Sequence, residues 1–190
     1  TIYYYLCKIC TVIKCTCSYT CCIFSYFYFS NSYTVRESGI SYCFYIVKGS
    51  SIEIVCAFTV SNASIFTNRL PNARKKKVGE EVPFPKRDLI YPATLIGRLG
   101  VNVKFQHTGE HVGTCLLDFI KFWFTEPDNK TGCRYLVVDA YNTKIPLKFY
   151  QNNGFKPLFS TEEQEKEYRN ISVDGPLTTR LMFFDLIRMV

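Results

Sequence analysis

A length of 190 residues is enough for one domain with a substantial core and too short for two such domains. Hydrophobic residues make up 47% of the chain and charged residues 21%, a balance that excludes a disordered chain. The formal net charge of +7 indicates acidic partners. Much of this charge is local, because the segment from Arg69 to Arg87 holds seven basic residues against two acidic ones.

The first 35 residues differ in composition from the rest. Six of the ten cysteines lie among the first 22 residues, in a mixture of Tyr, Cys, Phe, Ser and Thr without a helical or strand period. Lysines interrupt this stretch, so the uncharged remainder is shorter than the roughly 20 residues of a membrane helix, and it lacks the pattern of a secretory signal. A zinc site built from Cys7, Cys10, Cys15 and Cys17 would have an incomplete ligand set. The chain also lacks an initiator Met. We therefore expect residues 1–35 not to belong to the native domain and to derive from an upstream region that was read as protein. Residues 36–190 are expected to form the native domain.

The other four cysteines each lie inside an apolar run, where a reduced cysteine acts as a small hydrophobe. This usage favours a cytoplasmic protein over a disulfide framework, and no segment predicts a membrane span. The four are Cys43, Cys56, Cys115 and Cys133.

Two β-rich runs follow the leader. The runs "YCFYIV" and "EIVCAFTV" are separated by "KGSS", which predicts a hairpin with a glycine-containing turn. After Ser61 the basic segment contains Pro71, Pro83 and Pro85, a spacing that favours an exposed loop with at most a short helical piece.

The stretch "YPATLIGRLGV" predicts a strand, and Gly97 and Gly100 within it indicate a bulge or the close approach of a ligand. A helix is predicted from Thr114 to Phe124, since its apolar residues recur on one face. That stripe consists of Leu116, Leu117, Ile120, Trp123 and Phe124.

The C-terminal part alternates strands with one further helix. "CRYLVVDA" predicts a strand buried on both faces, and "NTKIPLKFYQNNGF" a short helix capped by Asn142 or Thr143 and ended by Gly154. "FKPLF" and "TRLMFFDLI" predict closing strands on either side of a solvated acidic stretch from Thr161 to Asn170. The order of elements predicts an α+β fold, close to α/β, with a mixed sheet.

Between the glycine-containing strand and the helix lies the corner "TGEHVG", Thr108 to Gly113. Free backbone N–H groups at a helix start, together with the positive end of the helix dipole, bind phosphate oxygens. By itself the pattern is weak, because many strand-to-helix turns contain two glycines.

The order "IGRLGV", glycine corner, "LLDF", "GCRYLVVDAYN" and "KFYQNNGF" resembles the GNAT family of acetyl-CoA-dependent N-acetyltransferases over roughly residues 42 to 190. "IGRLGV" and "FYQNNGF" are similar to the subgroup of toxins from toxin–antitoxin pairs that acetylate the amino acid on charged tRNA. The chain departs from the family pattern at His111, where a glycine is usual, and its loop is about two residues longer, so that Gln106 is a candidate for the displaced polar residue. The first strand and first two helices of the family have no recognisable counterpart before Tyr42.

The resemblance implies a GNAT-like, mostly antiparallel central sheet flanked by helices, and direct acetyl transfer from acetyl-CoA. Backbone groups of Leu99, Gly100 and Val101 would hold the pantetheine arm, and Asn142 would also contact the cofactor. Tyr150 would act as general acid toward the departing thiolate, although by position alone it is an ordinary core tyrosine beside Phe149. The diphosphate would lie on the amides of the corner, formed by Thr108, Gly109, Glu110, His111, Val112, Gly113 and Thr114.

On the acceptor side, the basic run is an ordinary solvated loop or a contact to tRNA phosphates. Its candidate residues are Arg74, Lys75, Lys76 and Lys77, with Arg98 added from the strand. The resemblance further implies an antitoxin protein as partner and a homodimer as assembly. A small amine or a protein amine is the alternative acceptor.

Other chemistries fit the sequence less well. His107 and His111 have the i, i+4 spacing of a helical metal site but lie in a predicted loop, and Cys115 and Cys133 lie in apolar elements, so no metal and no cysteine nucleophile is expected. A catalytically silent acyl-CoA-binding module of the same fold is the main rival function. A nucleic-acid-binding protein built on the cysteine-rich leader is the third hypothesis.

Overall fold

The computed structural model describes residues 24–30, 39–48, 50–79, 90–129, 131–172 and 174–189. The described strands are β1 Phe24–Ser30, β2 Gly39–Lys48, β3 Ser51–Phe66, β4 Ile90–Val101, β5 Tyr135–Tyr141, β6 Lys156–Pro157 and β7 Thr179–Asp185. The described α-helices are α1 Asn72–Val78, α2 Val112–Thr125, α3 Lys144–Asn152 and α4 Glu162–Arg169, with 3-10 helices at Thr67–Arg69, Val103–Phe105 and Leu186–Met189. No helix among these residues is long and apolar enough to cross a membrane.

The strands pair in the order β1-β2-β3-β4-β5-β7-β6. The β1–β2, β5–β7 and β6–β7 ladders are antiparallel, whereas β4 and β5 run parallel, as two strands joined by a helical crossover do. The predicted α+β class with a mixed, mostly antiparallel sheet is confirmed. The chain divides into two compact units, one formed by the residues up to Val60 with Gly97–Trp123 and the other by Ser61–Ile96 with the residues from Phe124 onward.

Aromatic side chains hold the first unit together. Phe58 of β3 packs against Phe119 and Trp123 of α2, with ring centroids 6.3 Å and 6.1 Å apart, and Tyr42 of β2 stacks on Phe58 at 5.2 Å. The helix predicted from Thr114 to Phe124 is thereby confirmed, although it begins at Val112. Phe119 is buried against Phe44 at 5.0 Å, although it lies outside the predicted apolar stripe.

The core of the second unit lies on β5, whose first four residues are buried as the continuous apolar run predicted. Tyr135 is completely buried and contacts the rings of Tyr91 and Phe183 at 5.6 Å and 5.8 Å. Residues from β3, β4, β7 and α1 complete this cluster, among them Ile65, Ala93, Phe183 and Val78.

Three sequence predictions need correction. β3 continues through Ser61 to Phe66, where a loop is predicted, and the basic run forms the short helix α1, the helical piece that the prediction allowed. Pro83 and Pro85 lie outside the described residues. The closing strand predicted in "FKPLF" is reduced to the two residues of β6. The acidic stretch from Thr161 to Asn170 is helix α4 rather than solvated chain.

The leader is only partly within the described residues. Phe24–Ser30 forms β1 and pairs with Ile40 to Ile46 of β2, although no strand is predicted there. The cysteines considered for zinc lie outside the described residues, and the non-native origin of residues 1–35 stays a prediction.

Helix α4 begins with the Thr-x-x-Gln sequence of a capping box, which lies within the acidic stretch. The Thr161 hydroxyl accepts from the Gln164 N–H, and the Gln164 side chain accepts from the Ser160 N–H. The helix ends at Asn170, which adopts the left-handed conformation with φ 53°. Both ends of this acidic segment are therefore determined by local hydrogen bonds.

Two carboxylates fasten α4 to the unit. Glu165 is completely buried, and its oxygens accept from Arg169 Nη2 at 2.6 Å and from Arg180 Nε at 2.7 Å. Glu162 accepts from the Leu177 N–H at 2.6 Å and from Asn142 Nδ2 at 2.8 Å. A helix with an acidic sequence is thus held by specific hydrogen bonds to its carboxylates.

We predict that Glu165→Gln destabilises the protein by about 3 kcal/mol, because it leaves the partly buried Arg180 guanidinium without its carboxylate partner. Arg169 loses one of its two carboxylates and keeps Asp139. Urea unfolding measures this change. Glu167→Gln, on the exposed face of the same helix, is the matched control and should alter the free energy of unfolding by less than about 0.5 kcal/mol. Equal effects of the two substitutions would contradict the prediction.

A second prediction concerns acid stability. Hydrogen bonds from Leu177 and Asn142 lower the pKa of Glu162, so the stabilisation by its carboxylate is complete above the unfolded-state pKa of about 4.3 and is lost as the pH falls through the folded-state pKa. Between about pH 5 and about pH 3, the free energy of unfolding should decrease more in the wild-type protein than in Glu162→Gln. Equal decreases in the two proteins would refute this assignment.

Candidate functional site

The end of β4 lies beyond its pairing with β5. The parallel ladder joins Ala93 to Ile96 of β4 with Tyr135 to Val138 of β5 and ends there, while β4 continues to Val101. Leu99 and its neighbours therefore extend past the ladder, as a strand segment that binds an extended ligand must.

Gly97 and Arg98 mark an irregularity in this strand. The Arg98 N–H donates to the Thr59 hydroxyl at 2.8 Å, and a Cβ on Gly97 would lie 3.0 Å from the same oxygen. Because the Arg98 amide bonds a side chain instead of the backbone of a neighbouring strand, the ladder is locally irregular. A glycine within a strand, here Gly97, predicts such an irregularity. The side chain of Arg98 is exposed.

The side chains of Asn102 and Gln106 hold the end of β4 and the loop that follows it in place. Asn102 donates its backbone N–H to Val55 O and its Nδ2 to Ile54 O, both at 2.8 Å. Gln106 Nε2 donates to the Val101 carbonyl at 2.6 Å, so that this carbonyl is already engaged by the protein. The side chain of Gln106, the candidate for the displaced polar residue of the loop, thus has a structural hydrogen bond here.

The corner after this loop has an unusual backbone. His107, Gly109 and His111 have φ values of 56°, 82° and 50°, while Thr108 and Glu110 between them are not in the positive-φ region. Left-handed residues that alternate with right-handed ones are the backbone pattern of an anion-binding nest, and the spacing of the left-handed residues here fits that pattern. The left-handed backbone of His111 also fits the glycine expected at this place from the resemblance, since glycine adopts this conformation without steric cost.

The amides of this corner have no internal acceptor. None of the seven consecutive backbone N–H groups from His107 to Gly113 donates to another residue in the described part of the chain. Helix α2 follows directly, and its first hydrogen bonds run from Thr114 N and Cys115 N to His111 O at 2.8 Å and 3.1 Å. Residues 106–111 are exposed, so these amides face solvent at the positive end of a 14-residue helix.

The side chains at the corner offer no competing chemistry. His107 and His111 lie in the loop, as predicted, and no group of His, Cys, Asp and Glu among the described residues could hold a metal ion. The Thr108 hydroxyl donates to Phe105 O at 3.4 Å, and Cys115 lies inside α2 with its Sγ 3.7 Å from Glu110 O. The corner is therefore built to present backbone groups.

Asn142, in the second unit, joins β5 to α4. Its Nδ2 donates to Glu162 Oε1 and to Leu177 O, both at 2.8 Å, so both amide hydrogens are used. Its side chain does not cap α3, since the residue before that helix is Thr143, which makes no side-chain cap hydrogen bond. The carbonyl oxygen Oδ1 is the part of this side chain left for a ligand donor.

Tyr150 lies in the last turn of α3. Its ring contacts those of Phe149 and Phe155, with centroids 5.2 Å and 5.5 Å away, and its hydroxyl makes no hydrogen bond within the described residues. Burial raises the pKa of Tyr150, so that the phenol is protonated at neutral pH. A protonated hydroxyl with an unused donor is what a general acid requires.

The basic residues of α1 do not form one equivalent set. Arg74 is half-buried and its guanidinium donates to the Ser160 hydroxyl, which commits it to the fold. Lys76 and Lys77 are exposed and Lys75 is half-exposed. The positive charge offered by this helix is therefore carried by its lysines.

No protein-family model and no curated protein sequence matches the chain. Solved structures do match. AtaT complexed with acetyl-methionyl-tRNAfMet has 16% identity and a TM-score of 0.54 over 80% of this chain and 73% of that chain. A tyrosine-to-phenylalanine mutant of KacT has 17% identity and the same TM-score and coverage.

AtaTR bound with AcCoA also matches, with 16% identity and a TM-score of 0.52 over 80% of this chain and 72% of that chain. At these identities the likeness shows the fold. The chain has the fold of AtaT and KacT, and the fold expected from the resemblance is thereby confirmed.

Proposed function

We propose that the protein is an N-acetyltransferase that transfers an acetyl group from acetyl-CoA to a primary amine. The observation that carries this proposal is the run of seven amides from His107 to Gly113, at the start of α2, that donate to no acceptor among the described residues. Anionic oxygens at a helix N-terminus are stabilised by these N–H groups and by the helix dipole. A structural neighbour bound with AcCoA supports this choice of anion.

The coenzyme is held mainly by backbone groups. The amides of Thr108, Gly109, Glu110, His111, Val112 and Gly113 bind the diphosphate, and Thr114 closes the first turn of the helix behind them. These contacts require no particular side chain, since a nest is made of main-chain groups alone.

The pantetheine arm lies along the strand end formed by Leu99, Gly100 and Val101. An N–H of this segment donates to the thioester carbonyl and stabilises the negative charge that develops on its oxygen. Gln106 occupies the Val101 carbonyl, so the Val101 contact uses the N–H or requires Gln106 to move. Asn142 contacts the coenzyme through Oδ1, because its amide hydrogens are used internally.

Tyr150 acts as the general acid. The acceptor nitrogen attacks the thioester carbonyl, the C–S bond breaks, and the sulfur takes the phenolic proton, while a base or water removes the proton from nitrogen. The ordinary pKa of a thiol is about 8.5 and that of tyrosine about 10, so this transfer is uphill and is coupled to C–S cleavage. Solvent then returns a proton to the phenolate.

The acceptor we favour is the amino acid of a charged tRNA. The exposed lysines of α1, Lys75, Lys76 and Lys77, provide a sequence-independent attraction for phosphates, and Arg98 adds a second cationic position. Arg74 contributes less, because its guanidinium bonds Ser160. The complex of AtaT with acetyl-methionyl-tRNAfMet supports this class of acceptor over a small amine. An antitoxin protein and a second copy of the chain are the further partners we propose, in the cytoplasm.

The rival function is a silent module that binds acyl-CoA without turnover. His111 in place of the usual glycine favours it from the sequence. The left-handed backbone of His111 weakens that case, because the substitution keeps the conformation on which the nest depends.

We predict that Thr108→Glu weakens acetyl-CoA binding at least about tenfold, because it places a carboxylate among amides that face a diphosphate. Calorimetric titration measures the affinity, and hydrogen exchange of residues 107–113 should slow on acetyl-CoA addition to the wild-type protein. No heat and no protection of this corner would overturn the proposed site.

Two controls isolate the phosphate contact. Ser172→Glu adds the same charge at an exposed residue outside the corner and should leave the affinity within about twofold. Acetyl-pantetheine, which lacks the diphosphate, should bind weakly and equally to the wild-type protein and to Thr108→Glu.

We predict that Tyr150→Phe lowers kcat by about 100-fold or more while the affinity for acetyl-CoA stays within twofold, because the hydroxyl acts only as the C–S bond breaks. Thiol release in the presence of charged tRNA, free amines or a protein amine measures turnover and identifies the acceptor. Binding of acetyl-CoA without turnover on any acceptor would identify the silent module instead.

A further inference from the structure

Helix α3 ends in a cap that closes on Tyr150. The Asn153 N–H points to the carbonyls of Phe149 and Tyr150 at 3.2 Å and 3.1 Å, and the Phe155 N–H donates to the Tyr150 carbonyl at 3.0 Å. The main chain of Tyr150 is therefore tied to the two residues on either side of Gly154.

Asn153 strengthens this cap with its side chain. Nδ2 donates to Phe149 O at 2.8 Å, and the residue is only 8% exposed. The Phe149 carbonyl therefore accepts from both the backbone N–H and the side chain of Asn153, which uses both of its lone pairs. The neighbouring Asn152 is exposed and has no comparable side-chain bond within the described residues.

The chain then turns sharply into a packed contact. Gly154 has φ 83°, and a Cβ at this position would lie 3.0 Å from the Phe184 ring. Phe155 follows this turn, and the centroid of its ring lies 5.5 Å from those of both Tyr150 and Phe184. The ring of Tyr150 is thus held on one side by a residue that the cap itself positions.

The hydroxyl of Tyr150 makes no hydrogen bond of its own in the described chain. Its direction is consequently decided by the backbone cap and by ring packing. We propose that Asn153 is a positioning residue for the Tyr150 acid, acting through the Phe149 carbonyl and the turn of α3. This inference rests on the proposed acid role of Tyr150.

The test is a double-mutant cycle on the full chain. We expect Asn153→Ala to lower kcat at least about tenfold with the KM for acetyl-CoA within twofold, because small displacements of a catalytic group are costly. In the Tyr150→Phe background the same substitution should change kcat by less than twofold. A loss by the same factor in both backgrounds would show a merely structural role and overturn the proposal.

Two further variants sharpen the cycle. Asn152→Ala, at the adjacent exposed asparagine, should leave kcat unchanged. Asn153→Ser should recover part of the activity lost in Asn153→Ala, because a serine hydroxyl can donate to the carbonyl four residues earlier. Ser and Ala variants with equal activity would contradict the role of the Nδ2 donor.

The outcomes also separate this inference from the proposed function. If Tyr150→Phe keeps full kcat, the acid role fails, whatever Asn153 does. If Tyr150→Phe loses activity while Asn153→Ala keeps it, only the positioning role fails. Urea unfolding of each variant ensures that activities are compared at temperatures where every protein is folded.

Discussion

The central constraint in this protein is that backbone N–H groups need acceptors. Seven consecutive amides, His107 to Gly113, have none within the described chain. Burial of such groups without partners would be costly, so the segment lies exposed at a helix start, where water or an anion can satisfy them. The left-handed residues of the corner and the dipole of α2 then favour the anion.

A site made of main-chain groups tolerates large changes of sequence. Gly109 is suited to its positive φ, but His107 and His111 adopt similar values, so no single side chain defines the corner. Contacts through backbone amides require a conformation, whereas a metal site or a catalytic triad would require particular residues.

In the second unit, polar contacts hold the short, hydrophilic helix α4 and the residue Tyr150 in place. Helix α4 is held through its carboxylates, by the buried Glu165 and its two arginine partners. Tyr150 is held by the cap formed by Asn153 and Gly154, which fastens the last turn of α3 from its C-terminal side. Both devices use buried polar groups that are hydrogen-bonded, Glu165 and the Asn153 side chain, so single substitutions of these groups are costly.

Local patterns in the sequence were sufficient for much of the fold. The apolar run predicts β5, the apolar stripe predicts α2 and the glycine predicts the end of α3. Each prediction depends on only a few neighbouring residues, because hydrophobic periodicity and the conformational freedom of glycine are local properties. The proposed phosphate corner and the proposed acid role of Tyr150 depend on the family resemblance, since two glycines in a turn and a tyrosine beside a phenylalanine are common.

Only the tertiary structure decided which polar residues are buried. Glu165 looks like any solvated glutamate in "TEEQEKEYR", and its burial depends on Arg180, which is 15 residues away in β7. In the sequence Arg74 is one of four consecutive basic residues, but in the structure its guanidinium bonds Ser160. Asn142 is a candidate helix cap in the sequence, but its side chain bonds Glu162. Such assignments depend on partners that are distant in the chain, and a sequence pattern encodes nearby periodicity but not the pairing of distant charges.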